Sequence, residues 1–452
     1  MTESIPVVLA TSGLPGEAAI VAALDRPAGP TAVSRRCLDL ADLLGAAATS
    51  RAQVAVVDVG LHRLDRDAVE RLQAAGLGVV LLTTADGLTQ AGALGADLVV
   101  ATTGGDVEPV VAGAVSVAGR RGRTIHDAPA PDVRRIPARD AGPGSELAVA
   151  ELAVAEVADS ESMADRASRR GQLVAVWGPA GAPGRTSVAL TLADEAARRG
   201  LRVWLVDADT TSPSVGQRLG LLEDQSGLVV AARLAGSGRL APGDVARLSV
   251  TLSSGLRLLT GLARPERWAE LRPAALRGVW DQLGCLADLV VVDVGSGLER
   301  DDETLLDPGL PVRHGAGLAT LAVADHVVAV GGADPISLVR LSRGLDIVVG
   351  VAPGAQRHVV VNRVRRSVVG DRPQVQLQQV IGHHTPHGAL LVPDEPAAWD
   401  AALFAGLTLA EASPRCAGRG VLGELVDRVA APPVIRRKAR PARGRLKRHA
   451  AR

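Results

Sequence analysis

The sequence predicts an α/β protein with two parallel sheets, a flavodoxin-like one in residues 1–120 and a doubly wound one in residues 171–430. In both regions, short uncharged runs rich in Val and Leu alternate with Ala-rich helical stretches. Uncharged strands of this kind are typical of parallel sheets that helices cover on both faces. With 452 residues, the chain is long enough for two or three such domains.

The composition restricts how the cores are built and where the protein works. Hydrophobic residues make up 47% of the chain and aromatic residues only 1%, so Ala, Val and Leu must fill the cores. The cysteines form no CxxC pair, which argues against a disulfide framework or a cysteine zinc site. The N-terminus has no basic n-region, and no uncharged apolar run approaches the roughly 20 residues that span a bilayer. We therefore expect a cytoplasmic protein, either free or peripheral at the inner face of the membrane.

In residues 1–120, the strand candidates are PVVLAT, QVAVVDVG, GVVLLTT and DLVVAT, with helical stretches between them. This domain resembles a receiver domain, and Asp58 falls where a receiver carries its phosphoacceptor. The acidic pair that follows the first strand of a receiver and the lysine that follows its fifth are both missing. The resemblance therefore implies a pseudo-receiver used for interaction or localisation, and we interpret Asp58 as a structural residue at a strand end.

Two segments lack this alternation. Residues 121–170 are rich in Pro, Arg, Asp and Ser, and their ELAVA repeat matches neither a helical nor a strand period, so we expect a disordered linker. Residues 431–452 form a Pro- and Arg-rich tail that we also expect to be disordered. Because the whole chain has a net charge of only +1, this basic tail follows an acidic body. The positive charges at 436–452 could contact an anionic membrane, a nucleic acid such as DNA or an acidic partner, or could serve only for solubility.

The strongest functional signal is the run VAVWGPAGAPGRTSVALTLA, which reads as a buried strand, a Gly- and Pro-rich turn and a helix. In a P-loop of this layout, backbone N–H groups converge on phosphate, a lysine adds positive charge and a hydroxyl binds Mg²⁺. Here Gly181 and Gly184 suit close backbone approach, Arg185 stands in place of the lysine, Thr186 is the metal-ligand candidate and Ser187 follows it. Taken alone, the run is also compatible with an ordinary strand-to-helix turn.

Acidic residues end two further predicted strands. RVWLVDAD ends with Asp207 and Asp209, and DLVVVDVG brings Asp293 to the end of another strand. An acidic residue at this position beside a P-loop usually holds magnesium through water. Such residues also cap turns and helices, but three matched strand ends in the correct order argue against a chance arrangement.

With these motifs, the second domain resembles the deviant Walker ATPases of the MinD, ParA and CpaE class. The resemblance implies a P-loop NTPase fold, ATP and Mg²⁺ as ligands, and a nucleotide-dependent homodimer. It implies that Asp209 positions the attacking water and that Thr186, Asp207 and Asp293 surround the metal. It further implies that the adenine-side residues are Asn362 in VVVNRV and Pro393 in LLVPDEP.

Two departures from the family pattern bear on the mechanism. The P-loop lysine falls on Arg185, and the lysine that crosses the dimer interface falls on Ala180. Loss of a donor that stabilises developing charge costs about 10²–10³ in rate. The sequence therefore supports nucleotide binding more than turnover. Arg185 and Asp209 are the catalytic candidates, and ATP hydrolysis is left open.

The resemblance implies a spatial regulator that positions a pilus, secretion or division machine at a site such as the septum. Two alternatives stay open: a non-hydrolysing pseudo-ATPase scaffold, and a ParA-like chromosome-partition protein whose tail binds DNA. A separate cluster, His383, His384 and His387 in GHHTPHG, could bind a metal, but we favour a solvated loop there.

Overall fold

The computed structural model describes residues 4–14, 16–49, 51–102, 107–121, 170–221, 226–299, 311–385 and 388–430. Nearly all of the expected linker, the whole basic tail and His387 lie outside the described residues. Two separate sheets organise the described part of the chain.

The first sheet has five parallel strands in the order β2-β1-β3-β4-β5. The strands are β1 (Ile5–Ala10), β2 (Thr31–Cys37), β3 (Val54–Asp58), β4 (Gly78–Thr83) and β5 (Leu98–Ala101). The helices are α1 (Glu17–Leu24), α2 (Leu40–Thr49), α3 (Arg66–Ala74), α4 (Leu88–Ala93) and α5 (Glu108–Arg121), with a 3₁₀ turn at Ala85–Gly87. This strand order is that of flavodoxin-like folds, as the sequence predicts.

Successive residues of the first sheet pack into different cores. Val7 and Leu9 of β1 contribute to the core that includes Ile20 of α1. Val8, between them, contributes to the opposite core with Leu43 of α2. This alternation follows from the two-residue period of a strand, and it explains why uncharged strands are needed when both faces are covered.

The second sheet has eight strands in the order β13-β12-β11-β6-β10-β7-β9-β8. They are β6 (Gln172–Trp177), β7 (Val203–Ala208), β8 (Val250–Ser253), β9 (Leu256–Leu259), β10 (Leu289–Val294), β11 (His326–Gly332), β12 (Gln356–Val364) and β13 (Leu390–Pro393). All neighbouring strands are parallel except the edge pair β8 and β9. The first strand of this unit, β6, therefore lies inside the sheet, where its carboxyl end has strand ends on both sides.

Helices cover both faces of the second sheet. They are α6 (Arg185–Arg198), α7 (Val215–Arg218), α8 (Gly227–Gly236), α9 (Pro242–Arg247), α10 (Pro273–Leu286), α11 (Gly315–Val323), α12 (Pro335–Val351), α13 (Arg366–Val369), α14 (Pro373–Ile381), α15 (Pro396–Ala405), α16 (Leu409–Ala412) and α17 (Ala417–Val429). Two 3₁₀ segments, Pro265–Glu270 and Gly382–His384, complete the unit. None of the helices in the described ranges is both long and apolar enough to cross a bilayer.

The two faces again separate along β6. Val174 and Val176 pack with Leu192 of α6 and Leu425 of α17. Trp177 packs on the opposite face, in a core that also holds Trp280 of α10. Full burial of an aliphatic side chain contributes about 1.5–3 kcal/mol, so these two cores hold β6 and the turn after it firmly in place.

The two sheets with their helices form a first and a second unit. Helix α3 of the first unit contacts helices α8 and α10 of the second unit. Arg277 of α10 donates to Glu70 of α3, with Nε 3.1 Å from Oε1. Arg272 donates to Asp67, with Nη1 3.2 Å from Oδ2. These side chains are partly exposed, so each ion pair contributes about 0–1 kcal/mol to the stability of the contact. The ion pairs therefore orient the contact more than they stabilise it.

Candidate functional site

The glycine-rich turn connects β6 to α6 at the carboxyl edge of the second sheet. Gly181 and Gly184 have φ of +81° and +80°, a left-handed conformation that glycine adopts without strain. A Cβ at Gly184 would lie 2.4 Å from Nδ2 of Asn362. A Cβ at Gly178 would lie 2.4 Å from the carbonyl oxygen of Val330. Both the backbone conformation and the close neighbours therefore require glycine in this turn.

The N-terminus of α6 has no side-chain cap. Its N-cap is Gly184, which has no side chain to accept a hydrogen bond from the first turn. The first N–H groups of a helix have no partner within the helix, and the helix dipole places partial positive charge there. Phosphate groups bind at helix N-termini for these two reasons. The turn and α6 therefore have the local structure that the P-loop prediction requires.

Arg185, the first residue of α6, pairs with two strand-end carboxylates. Its Nη2 donates to Oδ2 of Asp209, and its Nε lies 3.3 Å from Oδ1 of Asp293. The Arg185 side chain is 14% exposed, and those of Asp209 and Asp293 are 1% and 0% exposed. A guanidinium can donate to two acids at once in a fixed geometry, whereas an ammonium is a single point of charge. Arg185 therefore bridges Asp209, the candidate for positioning the attacking water, and Asp293, a candidate metal ligand.

Asp207 and Asp209 also organise the loop that follows β7. Oδ2 of Asp207 accepts hydrogen bonds from the backbone N–H groups of Ser214 and Val215, at 2.9 and 3.0 Å. Its Oδ1 accepts from the backbone N–H of Asp209 at 3.2 Å. Oδ1 of Asp209 accepts from the backbone N–H of Thr211 at 2.8 Å. Both oxygens of Asp207 are thus engaged by the loop, and its place near a metal stays a prediction.

The carboxylates carry more negative charge than Arg185 balances. Burial and the neighbouring Asp293 raise the pKa of Asp207 to about 7. Burial also raises the pKa of Asp293, although Arg185 and a hydrogen bond with Thr186 act in the opposite direction. A raised carboxyl pKa means that the site disfavours a further negative charge and favours a cation.

The donor set fits a magnesium ion. Oδ2 of Asp293 is fully buried and finds no hydrogen-bond partner among the described residues. The hydroxyl of Thr186 acts to lower the pKa of Asp293 and accepts a hydrogen bond from Oγ of Ser214 at 3.5 Å. Magnesium prefers carboxylate, hydroxyl, water and phosphate oxygens. Thr186 and Asp293 are therefore the residues that would hold Mg²⁺, which would neutralise phosphate charge when bound.

The predicted adenine-side residues lie on the neighbouring strands β12 and β13. Nδ2 of Asn362 donates to the carbonyl oxygen of Pro183 at 3.0 Å, and its Oδ1 accepts from the backbone N–H of Arg363 at 2.9 Å. Asn362 thus contacts the glycine-rich turn itself. Pro393 is the last residue of β13. The next residue, Asp394, pairs with an arginine that follows the end of β12. The structure brings both residues to the same edge as the turn.

An open cavity of about 170 Å³ lies beside the turn. Gly181 and Pro183 form one wall, and Asp334, Arg363 and Arg365 form others. Sequence reasoning missed these last three residues. The signal available was the strand-end run NRVRR, which places three arginines just after Asn362, and two of them line the cavity. The cavity therefore places two arginines and one carboxylate next to the turn.

The remaining sequence candidates lie apart from this cavity. Ser187 lines a separate small groove with Arg218 and Trp399. In the first unit, Oδ2 of Asp58 accepts from the backbone N–H and the hydroxyl of Ser12, at 3.1 and 2.8 Å, and Oδ1 accepts from Gly60 N at 2.8 Å. This arrangement agrees with the interpretation of Asp58 as a structural residue at a strand end.

Comparisons with known proteins give structural neighbours only. No protein-family model and no curated protein sequence matches the chain. A ParA-family ATPase from Chlorobium tepidum is similar at 16% identity and a TM-score of 0.48, over 56% of this chain and 98% of the other. The cell-division ATPase MinD from Pyrococcus furiosus is similar at 20% identity and a TM-score of 0.45, over 57% and 97%. MinD from Pyrococcus horikoshii, solved with Mg-ADP, is similar at 18% identity and a TM-score of 0.45, over 57% and 96%.

Proposed function

We propose that residues 171–430 bind an adenine nucleoside triphosphate with Mg²⁺, and that binding moves Arg185 from the carboxylates to the phosphates. The observation that carries this proposal is the bridge from Arg185 to Asp209 and Asp293 at the N-terminus of α6. An anion at the helix N-terminus competes with those carboxylates for the guanidinium of Arg185. A cation at Asp293 then replaces the charge that Arg185 withdraws.

Hydrolysis is slow in this proposal. Asp209, the candidate for positioning the attacking water, is held by Arg185 through one oxygen and by backbone N–H groups through the other. A group held at both oxygens is poorly placed to orient a water until Arg185 leaves. The larger, forked arginine also sits where the motif has a lysine. Both features favour an ATP-bound state that lasts longer than the ATP-bound state of a fast ATPase.

A long-lived bound state suits a spatial regulator, the role that the sequence resemblance implies. In this role, ATP binding would promote a homodimer that positions a division, pilus, secretion or partition machine, and turnover would release it. The second candidate is a pseudo-ATPase scaffold. The same Arg185 bridge supports it, because Arg185 already neutralises part of the carboxylate charge that a metal ion would otherwise have to neutralise.

The deciding experiment measures the binding and turnover of ATP by the full chain, with and without Mg²⁺. We compare the wild type with Arg185→Ala and Asp293→Ala, and we use Arg343→Ala as the control because Arg343 is an exposed arginine on α12. The proposal expects Mg²⁺-dependent binding that both site variants weaken and the control leaves unchanged. Binding without turnover supports a scaffold that holds nucleotide, and absence of nucleotide binding in the wild type contradicts the first candidate and leaves only a scaffold that does not use nucleotide.

A further inference from the structure

Outside the nucleotide site, three potential metal ligands meet near the carboxyl end of α12. They are Asp346 of α12 and the adjacent His383 and His384 of the 3₁₀ segment that follows α14. One ligand atom from each residue lies within 4.8 Å of the other two. The two imidazole rings lie side by side, with centroids 3.8 Å apart and planes inclined by 45°.

His384 is the buried residue of the three, and one of its ring nitrogens lacks a hydrogen-bond partner among the described residues. Its side chain is only 7% exposed, and Nε2 has no hydrogen-bond partner among the described residues. Nε2 lies 3.5 Å from Oδ1 of Asp346 without making a hydrogen bond to it. A buried polar atom without a partner costs about 1–3 kcal/mol, so some group is expected to satisfy it.

We propose that Asp346, His383 and His384 form a binding site for one transition-metal ion of the zinc class. Imidazole nitrogens and a carboxylate are typical zinc ligands, at about 2.0–2.1 Å from the metal. Tetrahedral geometry at those bond lengths places neighbouring ligand atoms about 3.3 Å apart. The observed 3.5 Å between Nε2 of His384 and Oδ1 of Asp346 is already close to that separation.

The chemistry of the donors distinguishes this site from the magnesium site at Asp293. Two imidazoles favour Zn²⁺, Ni²⁺ or Cu²⁺ over Mg²⁺, which prefers oxygen ligands. With three ligands from the protein, the fourth position remains for water or another donor. The sequence analysis favoured a solvated loop for this histidine cluster, because it could not show that Asp346 and a buried His384 face each other.

The position of the site defines what metal binding would do to the fold. The metal would tie α12 to the segment that leads into β13. The N-terminal half of α12 contacts the glycine-rich turn, where Nη1 of Arg340 lies 3.4 Å from the carbonyl oxygen of Ala180. Bound metal would thus fix two elements that flank the nucleotide site, through an attachment at the far end of α12.

The test uses the untagged full chain, freed of metal with a chelator and then given ZnCl₂ or CoCl₂ in the absence of nucleotide. Zinc per chain after gel filtration, the absorption spectrum of bound Co²⁺ and the metal-induced change in Tm are measured. Asp346→Asn and His383→Ala alter exposed ligands and are expected to fold, whereas His384→Ala alters a buried one. The matched control is His62→Ala, which removes an exposed histidine of the first unit.

We expect one zinc per chain, a rise in Tm with zinc, and an affinity that falls in Asp346→Asn and in His383→Ala by at least the roughly 10–100-fold that loss of a residue supporting a ligand already costs. The control should behave like the wild type. Equal zinc retention in the wild type and in both exposed-ligand variants would overturn the proposal. So would a wild type that binds no zinc, or a Co²⁺ spectrum that either variant leaves unchanged.

Discussion

Replacement of Arg185 by methionine should destabilise the second unit by about 3 kcal/mol at pH 8. Methionine keeps much of the length of the side chain and removes the charge. Loss of one partner from a buried ion pair costs about 3–5 kcal/mol, because the remaining charge stays buried. We expect the lower end of that range, since Arg185 is 14% exposed whereas Asp209 and Asp293 are almost fully buried.

The loss should also depend on pH. Arg185 acts to lower the pKa of Asp293, so its removal raises that pKa further above the unfolded value. A carboxyl whose pKa is higher in the folded state than in the unfolded state reduces stability as the pH rises. The variant should therefore lose more stability at pH 8 than at pH 6.

Urea unfolding followed by tryptophan fluorescence measures this effect in the intact chain. The chain has five tryptophans, all in the second unit, at 177, 204, 268, 280 and 399, so the signal reports that unit alone. The control is Arg343→Met, for which a change within about 0.5 kcal/mol is expected of an exposed side chain. Addition of Asp209→Asn to the methionine variant should recover about 1–2 kcal/mol by removing an uncompensated charge. A loss below about 0.5 kcal/mol in Arg185→Met, equal at both pH values, would refute the reasoning.

Three further predictions test other parts of the molecule. Arg185→Lys supplies the usual point charge and frees a carboxylate, so ATP turnover should rise by up to about 10²-fold in a phosphate-release assay; unchanged turnover would contradict the role assigned to Arg185. Burial lowers the pKa of His326, whose Nδ1 lies 3.1 Å from Nε2 of His358. The stability that depends on neutral His326 should therefore be fully present above about pH 6.5, the pKa of an unfolded histidine, and should fall at lower pH. His326→Gln should flatten this dependence of the urea midpoint on pH, and an identical pH profile in the variant would argue against this. Arg277→Glu should loosen the contact between the units and Glu70→Arg should restore it, with a coupling of about 0.5–1 kcal/mol in a double-mutant cycle; zero coupling would show that the pair does not orient the contact.

Most strands could be predicted because they are buried on both faces and therefore uncharged. The sequence analysis did not find β2 and β8, and both are edge strands. β2 reads TAVSRRC, with Arg35 and Arg36 exposed, and β8 is only four residues long and half-exposed. Edge strands are commonly short or charged, since these features prevent pairing with another chain. Their sequences therefore lack the uncharged run that reveals an interior strand.

The general location of the candidate site could also be predicted. Parallel strands bring their carboxyl ends to one edge, so the turn after β6, Asp209, Asp293 and Asn362 had to lie near one another. The partners of each side chain could not be predicted, because they depend on rotamers and on contacts between distant segments. Asn362 contacts the turn through Pro183, and a motif alone gives no indication of that contact. The same limit applied to the approach of Asp346 to His384.

The charge balance of the site connects these observations. Arg185 pairs with Asp209 and Asp293, and the pKa of the neighbouring Asp207 is already near 7. A triphosphate that draws Arg185 away would leave Asp293 buried without its ion-pair partner, in addition to bringing negative charge of its own. Such a state is stable only if a divalent cation reaches Asp293 or if protons bind to the carboxylates. Nucleotide and metal should therefore bind together in this protein, because Arg185 cannot serve the phosphates and the carboxylates at the same time.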